Sequence, residues 1–260
     1  MEIIASKERI VEFIRTKCDD AGCSGVVLGL SGGIDSTLVA YLCTEALGSE
    51  NVLGVHMPEL NVTPAEDVLD ATQVADILGI EFKTIDISEI VASFLNNIPD
   101  GNPAESYANS NLKARIRMSI LYYYANLTGY LVVGTGNKTE ILLGYFTKYG
   151  DGGVDIEPIG DLYKTEVRQM AEILGIPADI ISKPPSAALH VGQTDEEDLG
   201  LPYEIIDRIL SLLLEGLDTH VVQSMVGVSA EDMHSLLVRI DSNIHKRKVP
   251  PIADLSDLRF

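Results

Sequence analysis

The sequence predicts an α/β fold with a doubly wound, mostly parallel sheet and a set of C-terminal helices. Short apolar runs rich in β-branched residues alternate with segments of helical periodicity, as expected where helices connect parallel strands. Two of these runs lead into glycine-containing turns. Beyond residue 202 the pattern is helical only. We therefore expect one domain over residues 1–260, with a helical part at about 202–248.

Four runs are predicted to be strands. Most of them are apolar enough to be buried on both faces of a sheet. The predicted strands are residues 25–30, 51–57, 81–87 and 130–134. Right-handed crossovers between parallel strands bring the carboxyl ends of the strands to one edge, where ligands bind in such folds.

The predicted helices fill the segments between and after these strands. Thr63-Pro64-Ala65-Glu66 has the spacing of a capping box with proline at the first helical position. The predicted helices are residues 6–17, 37–42, 64–78, 88–97, 105–127, 163–174, 202–214, 219–225 and 229–244. Residues 145–159 and 182–201 are interpreted as loops, because glycine, aspartate and proline interrupt any periodic pattern there.

Composition limits the partners that this chain can have. The formal net charge is -20, with 19 Lys and Arg against 39 Asp and Glu, which disfavours nucleic acid as a partner. No apolar stretch is long enough to cross a bilayer, and the first residues do not form a signal peptide. We expect a cytoplasmic protein with no membrane partner.

The turn at residues 31–36, Ser-Gly-Gly-Ile-Asp-Ser, is the strongest local signal of function. Two glycines between a strand and a helix let backbone N–H groups surround a phosphate, and Asp35 can hold a cation beside it. The Walker lysine is absent. The alternative is a plain turn in which Asp35 or Ser36 is the N-cap of the helix.

A second turn, residues 134–140, follows the fourth predicted strand and reaches the same edge of the sheet. Glu140 and Asp35 together would form a pair of carboxylates suited to Mg²⁺, which also keeps several waters. No Lys or Arg lies between Lys17 and Lys83, so phosphates at the first turn require a metal ion or later basic residues. The alternative for this second turn is an exposed pair of charges at a helix start.

Three further candidates are weaker when each is taken alone. Lys164 in a first helical turn is by default solvated, since a cation there is unfavourable with the helix dipole. Ser186 lies in a stiff loop with two prolines. The basic cluster at residues 245–248 by default complements the dipole of a helix end.

Together these motifs resemble the ATP pyrophosphatase superfamily and, within it, the ammonia-dependent NAD synthetase family. The resemblance includes the two turns and the segments 147–158, 161–166, 183–187 and 192–197. It implies a sheet of the adenine-nucleotide-binding, pyrophosphatase-loop type. It also implies a ligase that forms a C–N bond by amidating deamido-NAD with ATP, Mg²⁺ and ammonia, and that acts as a homodimer.

The resemblance also implies roles for individual residues. Asp35, Glu140 and Lys164 would be catalytic, and Asp35 and Glu140 would hold the magnesium ion. The expected contacts with ATP are Gly29, Leu30, Ser31, Gly32, Gly33, Ile34, Asp35, Ser36, Thr135, Lys164 and Ser186. The expected contacts with deamido-NAD are Arg115, Lys148, Asp155, His245 and Lys246. The amino-acid sequence of residues 187–191 departs from the one expected of the family.

Other readings of the first turn remain open at this point. Transfer RNA thiolation and lysidine-forming enzymes carry the same turn, but they need a basic surface or cysteines for sulfur transfer. GMP synthetase would lack the wording of residues 147–155. A nucleotide sensor without chemistry would not need two carboxylates for a metal. No cysteine lies in a glutaminase-like setting, so free ammonia is the expected nitrogen donor.

Overall fold

The structure is a computed structural model that describes residues 2–60, 62–104, 106–186, 189–190 and 192–255. Within these residues, a four-stranded parallel sheet has the strand order β3-β2-β1-β4. The strands are β1 (Val26–Gly29), β2 (Val52–His56), β3 (Glu81–Thr84) and β4 (Leu131–Val133). The prediction of a parallel α/β sheet is confirmed, and each strand is shorter than predicted.

Helices follow and separate the strands along the chain. In chain order the helices of the described residues are α1 (Ile3–Ala21), α2 (Ile34–Leu47), α3 (Ala65–Leu78), α4 (Ser88–Asn96), α5 (Ser106–Thr128), α6 (Lys138–Leu143), α7 (Lys164–Ile173), α8 (Ala178–Ser182), α9 (Asp195–Leu199), α10 (Tyr203–Leu214), α11 (Thr219–Val226) and α12 (Ala230–Ser242). No helix among the described residues combines the length and apolar character that crossing a membrane requires.

The sheet is covered by helices on both faces, as a doubly wound fold requires. Strand β1 shows this by its alternation, because Val26 and Leu28 pack into one core and Val27 packs into the other. The first core includes residues of α1, α2, α3 and α7, whereas the second includes residues of α4 and α5. A third cluster joins α6 to α10, α11 and α12.

The strand order places a topological switch point between β1 and β4. From β1 the chain continues to β2 and β3 on one side of the sheet, whereas β4 lies on the other side. The loops after β1 and β4 therefore leave the same edge in opposite directions and open a crevice between them. Both of the turns singled out from the sequence, residues 31–36 and 134–140, begin at this crevice.

Three local predictions were wrong. The segment 182–201, interpreted as a loop, contains helix α9. Helix α2 begins at Ile34 rather than at residue 37, with Gly33 as N-cap and no side-chain cap, so neither Asp35 nor Ser36 is the N-cap. Helix α3 begins at Ala65 without a capping box. The Thr63 hydroxyl instead accepts a hydrogen bond from the N–H of Glu59 (2.9 Å), which closes the preceding turn.

Candidate active site

The turn after β1 is built around a glycine that no other residue can replace without strain. Gly32 has a φ of 86°, and a Cβ at this position would lie 2.4 Å from the backbone oxygen of Asp67. Gly33 then starts α2. The N-terminus of α2 therefore faces the crevice, which is a favourable arrangement for an anion.

The two serines of this turn hold its shape. The Ser36 hydroxyl donates to the backbone oxygen of Gly33 (3.1 Å) and accepts from the N–H of Ser31 (3.1 Å). The two serine hydroxyls also lie 2.9 Å apart. Leu30, just before the turn, is buried, and its backbone oxygen lies 2.8 Å from Nδ1 of His56. The turn is thus preformed.

A buried charge cluster lies beside the turn, and its centre is Lys164. The Lys164 side chain is 2% exposed, and its Nζ forms an ion pair with Asp35 and lies 3.6 Å from Oε1 of Glu140. The other oxygen of Asp35 accepts from the side-chain amide of Asn137 (3.0 Å). The structure therefore brings together Asp35, Glu140 and Lys164, which are far apart in the chain. The expectation of a solvated lysine at this position was wrong.

Helix caps place two members of this cluster. Asn137 and Glu140 form a capping box at the start of α6, in which the N–H of Glu140 donates to Oδ1 of Asn137 (3.0 Å) and Oε2 of Glu140 accepts from the N–H of Asn137 (3.2 Å). Lys164 is the first residue of α7. An ammonium at a helix N-terminus opposes the helix dipole, so the neighbouring carboxylates must compensate for it.

Asp195 adds a third carboxylate to this group, and we use "buried charge cluster" for Asp35, Glu140, Lys164 and Asp195. Asp195 is 4% exposed and accepts from the hydroxyls of Tyr203 (3.0 Å) and Tyr145 (3.3 Å). The Nζ of Lys164 also lies 5.2 Å from the ring centre of Tyr203. The cluster therefore holds three carboxylates against one ammonium.

This excess of negative charge changes the protonation of the cluster. Burial raises the pKa of Glu140, Lys164 opposes that effect, and the carboxylates of Asp35 and Asp195 add to it. Burial alone would lower the pKa of Lys164, but Asp35 and Glu140 outweigh it and raise that pKa. Lys164 therefore stays charged, whereas ionisation of Glu140 is disfavoured in the absence of a further cation.

The chemistry of this donor set fits a magnesium ion. Carboxylate oxygens are preferred ligands of Mg²⁺, which usually takes one or two of them and completes its shell with water and phosphate oxygens. Among the described residues, no three His, Cys, Asp or Glu side chains are arranged to hold a metal by themselves. Asp35 and Glu140 are the two residues that would hold the ion.

The segment with Ser186 reaches the edge of the cluster. The N–H of Asp195 donates to the backbone oxygen of Pro185 (2.9 Å), which is adjacent to Ser186. Lys183 anchors the segment to α3 through ion pairs with Asp67 (2.7 Å) and Asp70. Ser186 is exposed. Residues 187, 188 and 191 of the unusual stretch lie outside the described residues.

Three basic side chains outside the buried charge cluster bind backbone oxygens, and we refer to Arg115, Lys148 and Lys246 as the carbonyl-bound cations. Arg115 donates twice to the backbone oxygen of Lys148 (3.3 Å each). Lys148 donates to the backbone oxygen of His245 (2.9 Å). Lys246 donates to the backbone oxygens of Gly144 and Phe146 (2.7 Å each).

The C-terminal basic cluster complements helix dipoles, as its local interpretation predicted. It binds the C-terminal end of α6 and, through a hydrogen bond from Arg247 to the backbone oxygen of Ile240 (3.4 Å), the last turn of α12. Lys246 binds the oxygen of Gly144, the C-cap of α6, and Arg247 donates to the oxygens of Ile141 (3.3 Å) and Leu142. This contact also connects the region of His245 to the helix that carries Glu140.

Both carboxylate oxygens of Asp155 accept hydrogen bonds within the protein. Its two oxygens accept from the Tyr122 hydroxyl (2.9 Å) and from the N–H of Val132 in β4 (2.8 Å), which fixes an exposed carboxylate beside the crevice. Thr135 is partly buried between two glycines after β4. A Cβ on the first of these, Gly134, would lie 2.3 Å from the Glu157 carboxylate, so any other residue here requires the Glu157 side chain to shift.

Sequence reasoning assigned no role to Asn137, Asp195, Tyr203 or Asp207, although Asn137 and Asp195 lie in segments that carry the resemblance. A usable signal existed for two of them. Asn137-Lys138-Thr139-Glu140 has the N-cap spacing, and Asp207 lies on the apolar stripe that Tyr203 and Leu210 define in α10. A carboxylate on a buried stripe needs donors. For Asp195 no local pattern exists, because its partners come from other parts of the chain.

Comparison with known proteins gives consistent matches over the whole chain. The family model described as NAD synthase matches residues 6–250. The NH(3)-dependent NAD(+) synthetase of Methanococcoides burtonii is 57% identical over 100% of this chain and 98% of its own length. The corresponding protein of Methanosarcina mazei is 52% identical over 98% of this chain and 100% of its own length.

A solved structure, NMN synthetase from Francisella tularensis, has a TM-score of 0.87, with 32% identity over 98% of this chain and 100% of that chain.

Proposed function

The chain belongs to the NAD synthase family, and we propose that it amidates deamido-NAD with ammonia at the expense of ATP. The products are NAD, AMP and pyrophosphate. The observation that carries this proposal is the meeting of Asp35, Glu140 and Lys164 beside a preformed anion-binding turn. A nucleotide sensor needs the turn but not two carboxylates around a buried ammonium.

The reaction needs an activated carboxylate, since ammonia does not displace oxide from a carboxylate at neutral pH. In the first step an oxygen of the nicotinate carboxylate attacks the α-phosphorus of ATP, and the bond to the departing pyrophosphate breaks. In the second step ammonia attacks the acyl carbon, AMP leaves, and the nitrogen loses a proton. Positioning and charge stabilisation supply most of the catalysis in such phosphorus chemistry.

On the nucleotide side, the turn holds ATP while Lys164 stabilises the developing charge. The phosphates are surrounded by the segment 29–36, which consists of Gly29, Leu30, Ser31, Gly32, Gly33, Ile34, Asp35 and Ser36. Thr135 and Ser186 complete the contacts with ATP. Mg²⁺ bound by Asp35 and Glu140 would neutralise phosphate charge. This chain's own contribution is a preformed setting for the triphosphate.

On the other side of the crevice, the carbonyl-bound cations receive deamido-NAD. Arg115, Lys148 and Lys246 bind neutral oxygens, so their charge is available to an anionic ligand. His245 lies next to Lys246, and the fixed carboxylate of Asp155 suits a ribose hydroxyl better than a phosphate.

We propose that the protein acts as a homodimer in the cytoplasm, where ATP is available. On α5, Leu112, Ile116 and Ile120 pack against the sheet, whereas Tyr123 and Leu127 are exposed. The exposed aromatic and apolar side chains of α5 supply a surface for a second copy. Sedimentation at micromolar concentration tests this, and a monomer there contradicts it.

The assay for the proposed function combines the protein with ATP, Mg²⁺, ammonium and deamido-NAD. NAD and AMP in equal amounts are expected, and no amide product would refute the proposal. A second candidate follows from the structural likeness to an NMN synthetase. A parallel reaction with the deamido form of NMN distinguishes the two, since a higher kcat/KM for the mononucleotide would favour the second.

A further inference from the structure

Asp207 is a buried carboxylate that lies outside both groups described above. It is in the second turn of α10, in the C-terminal helices, and is 5% exposed among apolar neighbours of α10 such as Ile206 and Leu210. A charge in such surroundings is unfavourable unless hydrogen bonds compensate for it. Its partners therefore show what it does.

Each oxygen of Asp207 binds a different helix. Oδ1 accepts from the hydroxyl of Thr139 (2.5 Å), in the first turn of α6. Oδ2 accepts from the backbone N–H of Thr165 (2.9 Å), in the first turn of α7. The hydroxyl of Thr139 in turn accepts from the backbone N–H of Lys164 (3.0 Å). One carboxylate thus links the N-termini of two helices.

These two helix starts carry the reactive charges of the site. Glu140 immediately follows Thr139 in α6, and Lys164 immediately precedes Thr165 in α7. First-turn N–H groups have no partner within their own helix, and a carboxylate there is also favourable with the helix dipole. The spacing of 3.6 Å between Lys164 and Glu140 therefore depends on how α6 and α7 are joined.

We propose that Asp207 is a positioning residue that fixes Glu140 and Lys164 relative to each other. Through it the C-terminal helices set the geometry of the buried charge cluster. The inference rests on the proposed function for its rate consequences, but its geometric content is independent of the substrate. Without Asp207, the buried Thr139 hydroxyl and Thr165 N–H lose their acceptor, and α6 and α7 are free to shift.

The test compares Asp207→Asn, Thr139→Val and the double variant by kinetics and thermal melting. In Asp207→Asn the amide retains one acceptor, so one of the two donors loses its partner. For each single variant, kcat is expected to fall about 10- to 100-fold, because small misplacements of reacting groups are costly. The KM values are expected to stay within about threefold. The double variant should lose no more than the worse single one, because both act through one network.

Two controls separate positioning from stability. Thr139→Ser keeps the hydroxyl and is expected to retain kcat within about twofold. Asp218→Ala removes a carboxylate that also accepts from the second residue of a helix, since Asp218 caps α11 through the N–H of His220 (2.8 Å). Asp218→Ala is expected to lower Tm and leave kcat unchanged. A fall in kcat for Asp218→Ala equal to that of Asp207→Asn would overturn the inference.

A crystal structure of Asp207→Asn tests the positioning role of Asp207 independently of any catalytic activity. The inference predicts that Nζ of Lys164 moves away from Glu140 relative to the unmodified protein. Unchanged positions of Lys164 and Glu140 would overturn it, as would an unchanged kcat in the folded variant. If the unmodified protein forms no NAD while the variant shows the shift, the proposed function fails and the positioning role stands.

Discussion

The two sides of the candidate site hold their positive charges in opposite ways. In the buried charge cluster, the ammonium of Lys164 is surrounded by the carboxylates of Asp35, Glu140 and Asp195. The carbonyl-bound cations instead donate to neutral backbone oxygens. The first arrangement suits a charge that acts within a fixed, dry geometry. The second leaves charge available in a chain whose formal net charge is -20.

The largest effect is expected from replacement of Lys164, whose ammonium lies at the centre of the buried charge cluster. Lys164→Met leaves three carboxylates close together without a cation, so we expect kcat to fall about 10³-fold. We also expect a loss of about 3–5 kcal/mol of stability, as is typical when one partner of a buried ion pair is removed. Steady-state assays and urea unfolding measure the two effects.

The matched control is Lys7→Met in α1. Lys7 pairs with Glu45 (2.5 Å), whose side chain is 40% exposed, and exposed pairs contribute only about 0–1 kcal/mol. This variant should keep full turnover. Activity of a folded Lys164→Met within tenfold of the unmodified protein would contradict a role for the ammonium in the reaction.

The contrast also explains what the sequence could predict. Asp35 and Glu140 each follow a strand at one edge of the sheet, so their approach to each other followed from the α/β topology alone. The burial of Lys164 could not be predicted, because local rules expose a lysine at a helix N-terminus and only tertiary contacts override them. Asp195 reaches the cluster through an irregular segment whose path no periodic pattern determines.

At the carbonyl-bound cations, single substitutions should affect binding rather than chemistry. Arg115→Ala and Lys148→Ala each remove one charge, so the KM for deamido-NAD should rise about tenfold, as expected for a charge-assisted hydrogen bond. The KM for ATP and kcat should change little. The exposed Arg208→Ala serves as control. A selective rise in the KM for ATP would show that these cations face the other substrate.

The salt dependence of kcat and KM tests the same difference between the two groups of charges without a mutation. Between about 0.05 and 0.5 M KCl the Debye length shrinks severalfold, so attraction between partly exposed cations and an anionic ligand weakens. The KM for deamido-NAD should therefore rise with salt. The buried charge cluster is screened far less, so kcat should vary less than KM. Equal salt dependence of both parameters would indicate that the two sides do not differ in exposure.

Glu157 lies beside the turn after β4, and its substitution is expected to change the pH dependence of stability, which is the smallest of the expected effects. Burial raises the pKa of Glu157 to about 8 from 4.5, against a hydrogen bond from the N–H of Gly136 and with a contribution from Asp151. Between these values the folded state binds a proton that the unfolded state releases, so stability falls as pH rises from about 4.5 to 8.

Glu157→Gln removes this loss and keeps an acceptor for Gly136. Its Tm should clearly exceed that of the unmodified protein at pH 8 and exceed it by much less at pH 5. The exposed Glu172→Gln should change Tm equally at both pH values, and the same flat response in Glu157→Gln would show that Glu157 is ionised in the folded protein at neutral pH.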